Sequence, residues 1–376
     1  MADSKRRIVI IGPTWPYRGG ISHHTTMLSR FLQKENEVVL ISYKRQYPAW
    51  LYPGETDKDS SKSYLEGNNV EYIIDSINPL TWIKAAKRII GINPDEIIIQ
   101  WWVVFWVPAY WSIIQLVKRK CRAPITFICH NVVEHESNKI KYLLSKCLFR
   151  CGSKFVVHAD SEKDKLQKML GDCEIIKSFM PSFGDLKFQE IGIMQARRAI
   201  GLSDDDKVLL FFGFIRQYKG LAVILEALPE ILGSHPETKL LIVGEFWDDK
   251  KPYMAIIQQL GIAGNVIIID KYVPNEDIGQ YFAASDLVVQ PYLSATGSAI
   301  CQLAYGFGKP VVATRVGSLD EVIEPGINGQ LVEPGNSREL AQAVIKSLDK
   351  DTLKQLHENA AHTKDKFSWE NYVKNF

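Results

Sequence analysis

The sequence lacks any cysteine pattern that would indicate a metal site or a disulfide framework. Its six cysteines stand at 121, 129, 147, 151, 173 and 301, without the paired short spacings of zinc ligands. Cys147 and Cys151 are one helical turn apart, but free thiols inside a core are the simpler interpretation. A reducing cytoplasmic compartment and no bound metal are therefore predicted.

The chain also lacks an apolar leader, internal repeats and low-complexity tracts. MADSKRR runs directly into the strand-like IVIIG, so no secretory signal is expected. One long uncharged run, residues 97–117, is long enough to span a membrane. Because Pro108 divides it, we interpret it as a buried strand (Ile97–Trp102), a connection, and a helix that begins near Pro108.

Charge is distributed unevenly along the 376 residues. Residues 1–180 contain 26 lysines and arginines against 18 acids, and the remainder contains 19 against 25. The basic first half and its aromatic group predict contact with an anionic partner or membrane surface. That aromatic group is Trp101, Trp102, Phe105, Trp106 and Trp111; a solvated basic face and aromatic core packing are the alternatives. No pattern indicates nucleic-acid binding.

Strand-like and helix-like segments alternate twice, which indicates an α/β fold with two doubly wound, Rossmann-like domains. We predict a first domain over 1–180, a linker over 181–190, a second domain over 191–362 and a C-terminal helix over 363–376 that returns to the first domain. The predicted strands are 7–11, 37–43, 70–75, 97–102, one beginning at 125, one beginning at 155, 208–214, 239–244, 266–270, 287–292 and 310–314.

Two cations follow the first strand of the second domain. The apolar run VLLFFGF precedes Arg216 and Lys219, and Gly220 then opens a helical pattern. Ligands of parallel sheets bind beyond the carboxyl ends of the strands, where these side chains emerge. The planar guanidinium of arginine and the compact ammonium of lysine can together bind a diphosphate. Taken alone, R-x-x-K more often marks two solvated loop cations.

A glycine pair follows the first strand of the first domain. Gly19 and Gly20 precede a helical pattern, and a tight turn with free helix-start amides favours an anion. The segment is not G-x-G-x-x-G, so a dinucleotide fingerprint is not supported.

Five segments, in this order along the chain, resemble those of the family 4 glycosyltransferases. These are retaining, nucleotide-sugar-dependent enzymes of the GT-B fold. The five segments are GFIRQYKGL, LLIVGE, YVPNEDIGQYFAASDLVVQPY, AYGFGKPVVATRVGSLDEVI and INGQLVEPGN. The likeness covers nearly the whole chain and is strongest from about 205 to 335. It implies two Rossmann-like domains facing a central cleft and a nucleoside-diphosphate sugar, UDP- or GDP-linked, as donor.

The resemblance also assigns roles to individual residues. Arg216 and Lys219 correspond to the pair that holds the donor diphosphate, and Gly19-Gly20 to a glycine loop facing the same phosphates. His130 corresponds to a histidine near the donor sugar, with a structural histidine as the alternative. Glu245 is expected at the nucleobase or ribose, with a solvated loop acid as the alternative. His135 and Glu136 are second-rank candidates on the acceptor side.

The chain departs from the family where two glutamates separated by seven residues are usual. Gln302 takes the place of the second, and either Ser294 or the loop of Thr296, Gly297 and Ser298 takes that of the first. Gln302 can bond ribose hydroxyls without a charge. Small residues at a helix start, Ala299 included, can offer amides and hydroxyls to a phosphate or sugar.

These features together predict a metal-independent retaining glycosyltransferase, with Arg216, Lys219 and His130 as its catalytic residues. The predicted acceptor is a glycan or lipid-linked molecule of cell-surface polysaccharide synthesis. The predicted location is the cytoplasm, extending to the inner face of the plasma membrane. The alternatives are a non-catalytic nucleotide-sugar-binding partner and a GT-B epimerase or phosphorylase.

Overall fold

The computed structural model describes residues 5–51, 56–61, 69–133, 138–182 and 191–376. The chain divides into two compact units, one of Met1–Phe179 with Trp369–Phe376 and the other of Met180–Ser368. Most of the predicted linker, residues 183–190, lies outside the described residues. His135 and Glu136 also lie outside them.

The first unit contains a parallel sheet, seven-stranded in its described part, with the order β3-β2-β1-β4-β5-β6-β7. The strands are β1 Arg7–Ile11, β2 Glu37–Arg45, β3 Val70–Asp75, β4 Glu96–Trp101, β5 Ile125–Cys129, β6 Lys154–Val157 and β7 Glu174–Lys177. The helices between them are α1 Gly20–Leu32, α2 Pro79–Ile92, α3 Val107–Lys118, α4 Lys139–Phe149 and α5 Asp160–Leu170. The strand order reverses direction between β1 and β4, which makes this pair the switch point of the sheet.

The long uncharged run forms the predicted strand, connection and helix. Its strand is β4 and its helix is α3, with Pro108 in the first helical turn, where a missing amide proton costs nothing. Trp101 and Trp106 are fully buried in the first unit's core, whereas Trp111 is exposed. Core packing therefore explains much of the aromatic group. Among the described helices, none has the length and apolarity that crossing a bilayer requires.

The second unit contains a six-stranded parallel sheet in its described part, with the order β10-β9-β8-β11-β12-β13. Its strands are β8 Lys207–Phe212, β9 Thr238–Val243, β10 Val266–Ile269, β11 Leu287–Gln290, β12 Val311–Thr314 and β13 Gly329–Val332. Its helices are α6 Ile193–Ala199, α7 Leu221–Ser234, α8 Lys251–Gln259, α9 Asn275–Ala284, α10 Ala299–Gly306, α11 Leu319–Val322, α12 Ser337–Leu348 and α13 Lys350–Lys366. The switch point of this sheet lies between β8 and β11.

A final short helix, α14 (Trp369–Val373), packs in the first unit, as predicted for the returning C-terminal helix. Trp369 stacks on Phe31 of α1 at 5.6 Å, and Lys34 pairs with Glu370 at 3.0 Å. The returning helix α14 is shorter than the predicted 363–376. Helix α13 extends to Lys366, and residues 367–368 between α13 and α14 are not helical. Two four-residue strands at sheet edges, β7 and β13, were not predicted from the sequence.

Candidate nucleotide-sugar site

Glycines shape the loop that follows β8 in the second unit. Gly213 has φ +101°, and Gly244, after β9, has φ +150°. A Cβ atom on Gly244 would lie 2.1 Å from the carbonyl oxygen of Gly213, so only glycine permits the two loops to touch. This contact lies at the carboxyl ends of both strands, β8 and β9.

Gly220 joins that loop to the end of the neighbouring strand β11. Its φ is +69°, and a Cβ atom there would lie 1.8 Å from the carbonyl oxygen of Pro291. The amide of Leu293 also donates to the carbonyl of Tyr218 at 2.7 Å. The segment with Arg216 and Lys219 is thus held directly at the switch point, where a ligand of a doubly wound sheet is expected.

Lys219 carries a buried charge at this switch point. It is 9% exposed, and its ammonium lies 5.6 Å from the ring centre of Tyr292. Burial first, and then the charge of Arg216, lower the pKa of Lys219 to about 8. No hydrogen bond or ion pair engages this ammonium in the described part of the chain. Because an unpaired buried charge is costly, the site favours a bound anion.

Arg216 is the second cation, and its position is exposed. Its guanidinium lies 5.5 Å from the ring centre of Tyr218 and 5.9 Å from that of Trp247. These aromatic rings orient the guanidinium group without neutralising its charge. Within the described residues Arg216 has no acidic partner either. Between the two cations, the amide of Gln217 donates to a carboxylate oxygen of Asp248. That Arg216 and Lys219 together hold a diphosphate stays a prediction.

The loop before α10 is built from small residues held by backbone contacts. The carbonyl of Thr296 accepts from the amide of Ser318 at 2.9 Å, and a Cβ on Gly297 would lie 2.7 Å from the Ser318 hydroxyl. Ser298 caps α10, since its hydroxyl accepts from the amide of Cys301 at 3.3 Å. Ala299 is the first helical residue, and the amides of this first turn have no intrahelical acceptor.

Two buried glutamines have unsatisfied amide groups near this region. Gln302 on α10 is 3% exposed, and its Oε1 has no hydrogen-bond partner among the described residues. Gln290, the last residue of β11, is 1% exposed, and neither its Oε1 nor its Nε2 has such a partner. Sequence reasoning missed Gln290; the available signal was a polar residue closing the buried run LVVQ.

Glu245 and its surroundings follow β9. The Glu245 carbonyl accepts from the amide of Ile215 at 2.9 Å, and the residue is half-buried. Close by, Phe214 lies 4.2 Å from Trp247 and 6.3 Å from Tyr272, measured between ring centres. The loop thus combines a carboxylate with a half-buried aromatic cluster.

Ser294 is half-buried in the loop after β11.

In the first unit, Gly19 and Gly20 lie where β1 leads into α1. Gly19 has φ +104° and precedes the helix, and no atom lies within 4 Å of the position its Cβ would take. Gly20 is the first helical residue and is exposed. The loop therefore has an open face beside exposed helix-start amides.

His130 belongs to a cluster of three buried histidines at the carboxyl edge of the first sheet. The ring centres of His24 and His130 are 5.0 Å apart, those of His24 and His158 5.8 Å, and those of His130 and His158 5.3 Å. Gln100, at the end of β4, links two of them. Nε2 of His130 donates to Gln100 Oε1 at 2.7 Å, and Gln100 Nε2 lies 3.4 Å from Nδ1 of His24.

The cluster is kept neutral by its surroundings. Burial, followed by repulsion from the other rings, holds the pKa of His24 and the pKa of His130 well below the usual value, and burial also lowers the pKa of His158. His24 Nε2, His130 Nδ1, His158 Nε2 and the Tyr372 hydroxyl have no hydrogen-bond partner in the described residues. Neutral imidazoles beside unsatisfied polar atoms can hold a hydroxyl-bearing group or water.

The described residues contain no grouping of three or more histidine, cysteine or acidic side chains arranged to hold a metal ion. The sequence-predicted residues fall into two sets. Arg216, Lys219, Glu245, Thr296, Gly297, Ser298, Ala299 and Gln302 belong to the second unit, and Gly19, Gly20 and His130 to the first.

Comparison with known proteins points to one family. Residues 193–363 match the family model described as glycosyl transferases group 1. An uncharacterized glycosyltransferase of Methanocaldococcus jannaschii is 32% identical over 181 residues, which cover 47% of this chain and 45% of that protein. A D-inositol 3-phosphate glycosyltransferase of Corynebacterium jeikeium is 32% identical over 183 residues, or 47% and 43% of the two chains. The match therefore spans less than half the length of these relatives.

Solved structures extend the similarity to the whole fold. Anabaena HepE, solved with UDP and glucose, has a TM-score of 0.76 at 19% identity and covers 98% of this chain and 97% of its own. A glycosyltransferase of Rickettsia africae has a TM-score of 0.75 at 21% identity, with 99% and 96% covered. The chain has the GT-B fold, and residues 193–363 of its second unit are similar to the group 1 glycosyl transferases.

Proposed function

We propose that this chain is a retaining glycosyltransferase, and that it moves a sugar from a UDP- or GDP-linked donor to a glycan or lipid-linked acceptor in cell-surface polysaccharide synthesis. The observation that carries the proposal is Lys219, a buried ammonium without an acidic partner among the described residues, at the switch point of the second sheet. A diphosphate supplies the missing negative charge. The group 1 match and the UDP-glucose complex of Anabaena HepE support a nucleotide-sugar donor.

The proposed mechanism depends on stabilising the leaving diphosphate. As the glycosidic bond breaks, negative charge grows on the phosphate oxygen that leaves. Arg216, Lys219 and the first-turn amides of α10 are donors that are already in place, so little reorganisation is needed when the charge develops. In this proposal the two cations neutralise the diphosphate charge that a divalent ion neutralises in other enzymes, so the enzyme needs no metal.

The proposed contacts of the sugar and ribose are neutral amides and hydroxyls. Gln302 and Gln290 have unsatisfied amide groups, and each such group costs about 1–3 kcal/mol while it stays buried and unpaired. Sugar hydroxyls, which both donate and accept, can satisfy them. Glu245 then meets the ribose or nucleobase, and the aromatic cluster of Phe214, Trp247 and Tyr272 offers the base a stacking surface.

The proposed role of the first unit is to bind the acceptor and contact the transferring sugar. His130 is neutral and oriented by Gln100, so its free Nδ1 is an acceptor for a hydroxyl rather than a charge. Gly19 and Gly20 present helix-start amides to phosphate oxygens. The proposed location is the cytoplasm, with contact to the anionic inner face of the plasma membrane through the basic first half.

A transfer assay tests the proposal. Labelled UDP- and GDP-sugars are incubated with soluble and lipid-linked glycans, and the anomeric configuration of the product is determined by NMR. We expect transfer with retained configuration, and loss of transfer in Lys219→Ala. Transfer with inversion would contradict the retaining mechanism.

Donor binding without transfer is the result that the non-catalytic alternative predicts, and the neutral Gln302 in place of a glutamate is the observation that favours it. An altered sugar nucleotide formed without acceptor would instead indicate an epimerase.

A further inference from the structure

Helix α4 of the first unit presents an apolar stripe to solvent. Ile140, Leu143, Leu144 and Cys147 follow one another at i, i+3, i+4 and i+7, the spacing of a single helical face. In a globular protein such a face normally packs on the core. Here Ile140 is 70% exposed, Leu143 59% and Leu144 43%, and Cys147 is exposed as well.

The opposite face of α4 accounts for the packing of the helix. Leu148 and Phe149 are fully buried in the first unit's core, and Ser145 lies with them. Because the helix already has a buried face, the exposed stripe is a second apolar surface. Three exposed aliphatic side chains on one short helix form a patch of the kind that marks an interaction site.

Positive charge lines one edge of the stripe. On a helix with 3.6 residues per turn, Lys139, Lys146 and Arg150 project along this edge. Lys141 is half-buried and lies on the packed face. Residues 138–150 contain no acid. The side chains of Lys139, Lys146 and Arg150 have no acidic partner among the described residues.

The adjoining helices add to the same surface. The connections that contain α2, α3 and α4 all step in the same direction along the sheet, so the right-handed crossover rule places these helices on one face. Leu80 of α2 is 74% exposed, and Trp111 of α3 is 48% exposed. The apolar character of this helical layer therefore continues beyond α4.

We propose that α4 is an interfacial helix that docks the first unit on an anionic lipid bilayer. An apolar stripe beside a cationic edge is the pattern of helices that lie in the plane of the headgroups. The stripe enters the acyl boundary, and the lysines contact anionic headgroups. A second copy of the chain fits less well, because two α4 helices would bring cations together with no acid in either to pair them. The proposal rests on the membrane contact of the proposed function and assigns that contact to one helix. Bilayer binding is measured without donor or acceptor, so its failure is distinguishable from failure of the proposed transfer reaction.

Flotation of the full chain with vesicles tests the proposal. We expect binding to mixed phosphatidylglycerol and phosphatidylcholine vesicles at low salt, and weaker binding at high salt or with phosphatidylcholine alone. The double variant Ile140→Gln/Leu143→Gln should bind at least about tenfold more weakly, because two aliphatic side chains no longer enter the apolar layer. Its matched control is Ile193→Gln/Met194→Gln, which removes two exposed apolar side chains from α6 and should bind like the wild type.

A second measurement separates insertion from loss of folding. An environment-sensitive fluorophore on the exposed Cys147 should shift to the blue with anionic vesicles, and circular dichroism should show both double variants folded. Failure of the wild type to bind anionic vesicles at low salt would overturn the proposal, as would equal losses in both double variants. A wild-type dimer that Ile140→Gln/Leu143→Gln converts to monomer, without vesicle binding, would assign the stripe to a second copy instead.

Discussion

Gln100 and His130 are joined by a 2.7 Å hydrogen bond at the carboxyl edge of the first sheet. A Cβ atom on Gly12 would lie 2.6 Å from Cγ of Gln100, so the side chain fits only because residue 12 is glycine. With its oxygen on His130 and its nitrogen facing His24, Gln100 assigns the proton of His130 to Nε2. His130 then presents an unprotonated Nδ1.

We predict that Gln100→Glu raises the pKa of His130, because a carboxylate beside an imidazole stabilises its protonated form. Gln100→Leu should leave this pKa low but remove the orienting bond. Titration of the histidine ring protons by NMR measures the first effect. On the proposed function, Gln100→Leu lowers kcat more than it changes KM for the donor. A His130 pKa unchanged in Gln100→Glu would show that the contact is absent in solution.

The second prediction concerns the two cations. Arg216→Ala and Lys219→Ala should each weaken UDP or GDP binding about 10- to 150-fold, since a charge-assisted contact contributes roughly 1.5–3 kcal/mol. Binding of the uncharged nucleoside should change little. Calorimetric titration provides both affinities, and Lys251→Ala, an exposed lysine of α8, is the control. Equal losses for nucleoside and nucleotide would contradict a diphosphate role.

Nucleotide binding should also depend on pH in alkaline solution. The pKa of Lys219 in the free protein is about 8, so the ammonium loses its proton above that value. If only the charged form holds the diphosphate, affinity falls by roughly tenfold between pH 7 and pH 9. Calorimetry across this range measures the effect. Because Lys219→Ala lacks the titrating ammonium, its nucleotide affinity should be weak and independent of pH. A wild-type affinity that does not change with pH would be incompatible with the prediction.

The histidine cluster should make the first unit sensitive to acid. The pKa values of His24, His130 and His158 are lowered in the folded state, so the unfolded chain binds more protons below its ordinary histidine pKa of about 6.5. Stability is therefore complete above that pH and declines as pH falls. By the linkage relation, each histidine contributes a slope in the free energy of unfolding that approaches about 1.4 kcal/mol per pH unit.

Urea denaturation between pH 7.5 and 5 measures this slope. His158→Gln should reduce it by about one third, because one of three coupled groups is removed. His362→Gln replaces an exposed histidine of α13 and should leave the slope unchanged. A steeper decline in His158→Gln would contradict the sign of the linkage.

The last prediction separates steric contact from backbone strain at Gly220. Gly220→Ala and Gly201→Ala both place alanine at similar positive φ values, +69° and +76°, which costs about 1–2 kcal/mol each. A Cβ at 201 meets nothing within 4 Å, whereas one at 220 would collide with the carbonyl of Pro291. We therefore expect Gly220→Ala to lose more unfolding free energy than Gly201→Ala, and also to bind nucleotide more weakly. Urea denaturation and calorimetry are the tests, and equal losses would remove the steric argument.

Local patterns in the sequence were sufficient to predict the fold class and most of the strands. Short apolar runs with a glycine at or near their end, such as VLLFFGF and KLLIVG, indicate buried parallel strands, because each strand of such a sheet is apolar on both faces. The same logic located Arg216 and Lys219, since polar residues directly after a buried run emerge at the carboxyl edge. The edge strands β7 and β13 escaped because four residues at a sheet margin have no distinctive period.

Only the tertiary structure decided which residues belong together. Gln100, His24 and His158 are up to 134 positions apart along the chain, yet their side chains lie close together. Gln100 lies near the end of β4, His158 follows β6 and His24 lies in α1, the helix after β1, and these parallel strands end at the same sheet edge. Burial likewise distinguished Lys219 from an ordinary loop lysine, and exposure distinguished the α4 stripe from an ordinary core face. A linear pattern states that a face is apolar or that a side chain is charged. Whether water, another side chain or nothing meets it depends on long-range packing, which no single segment encodes.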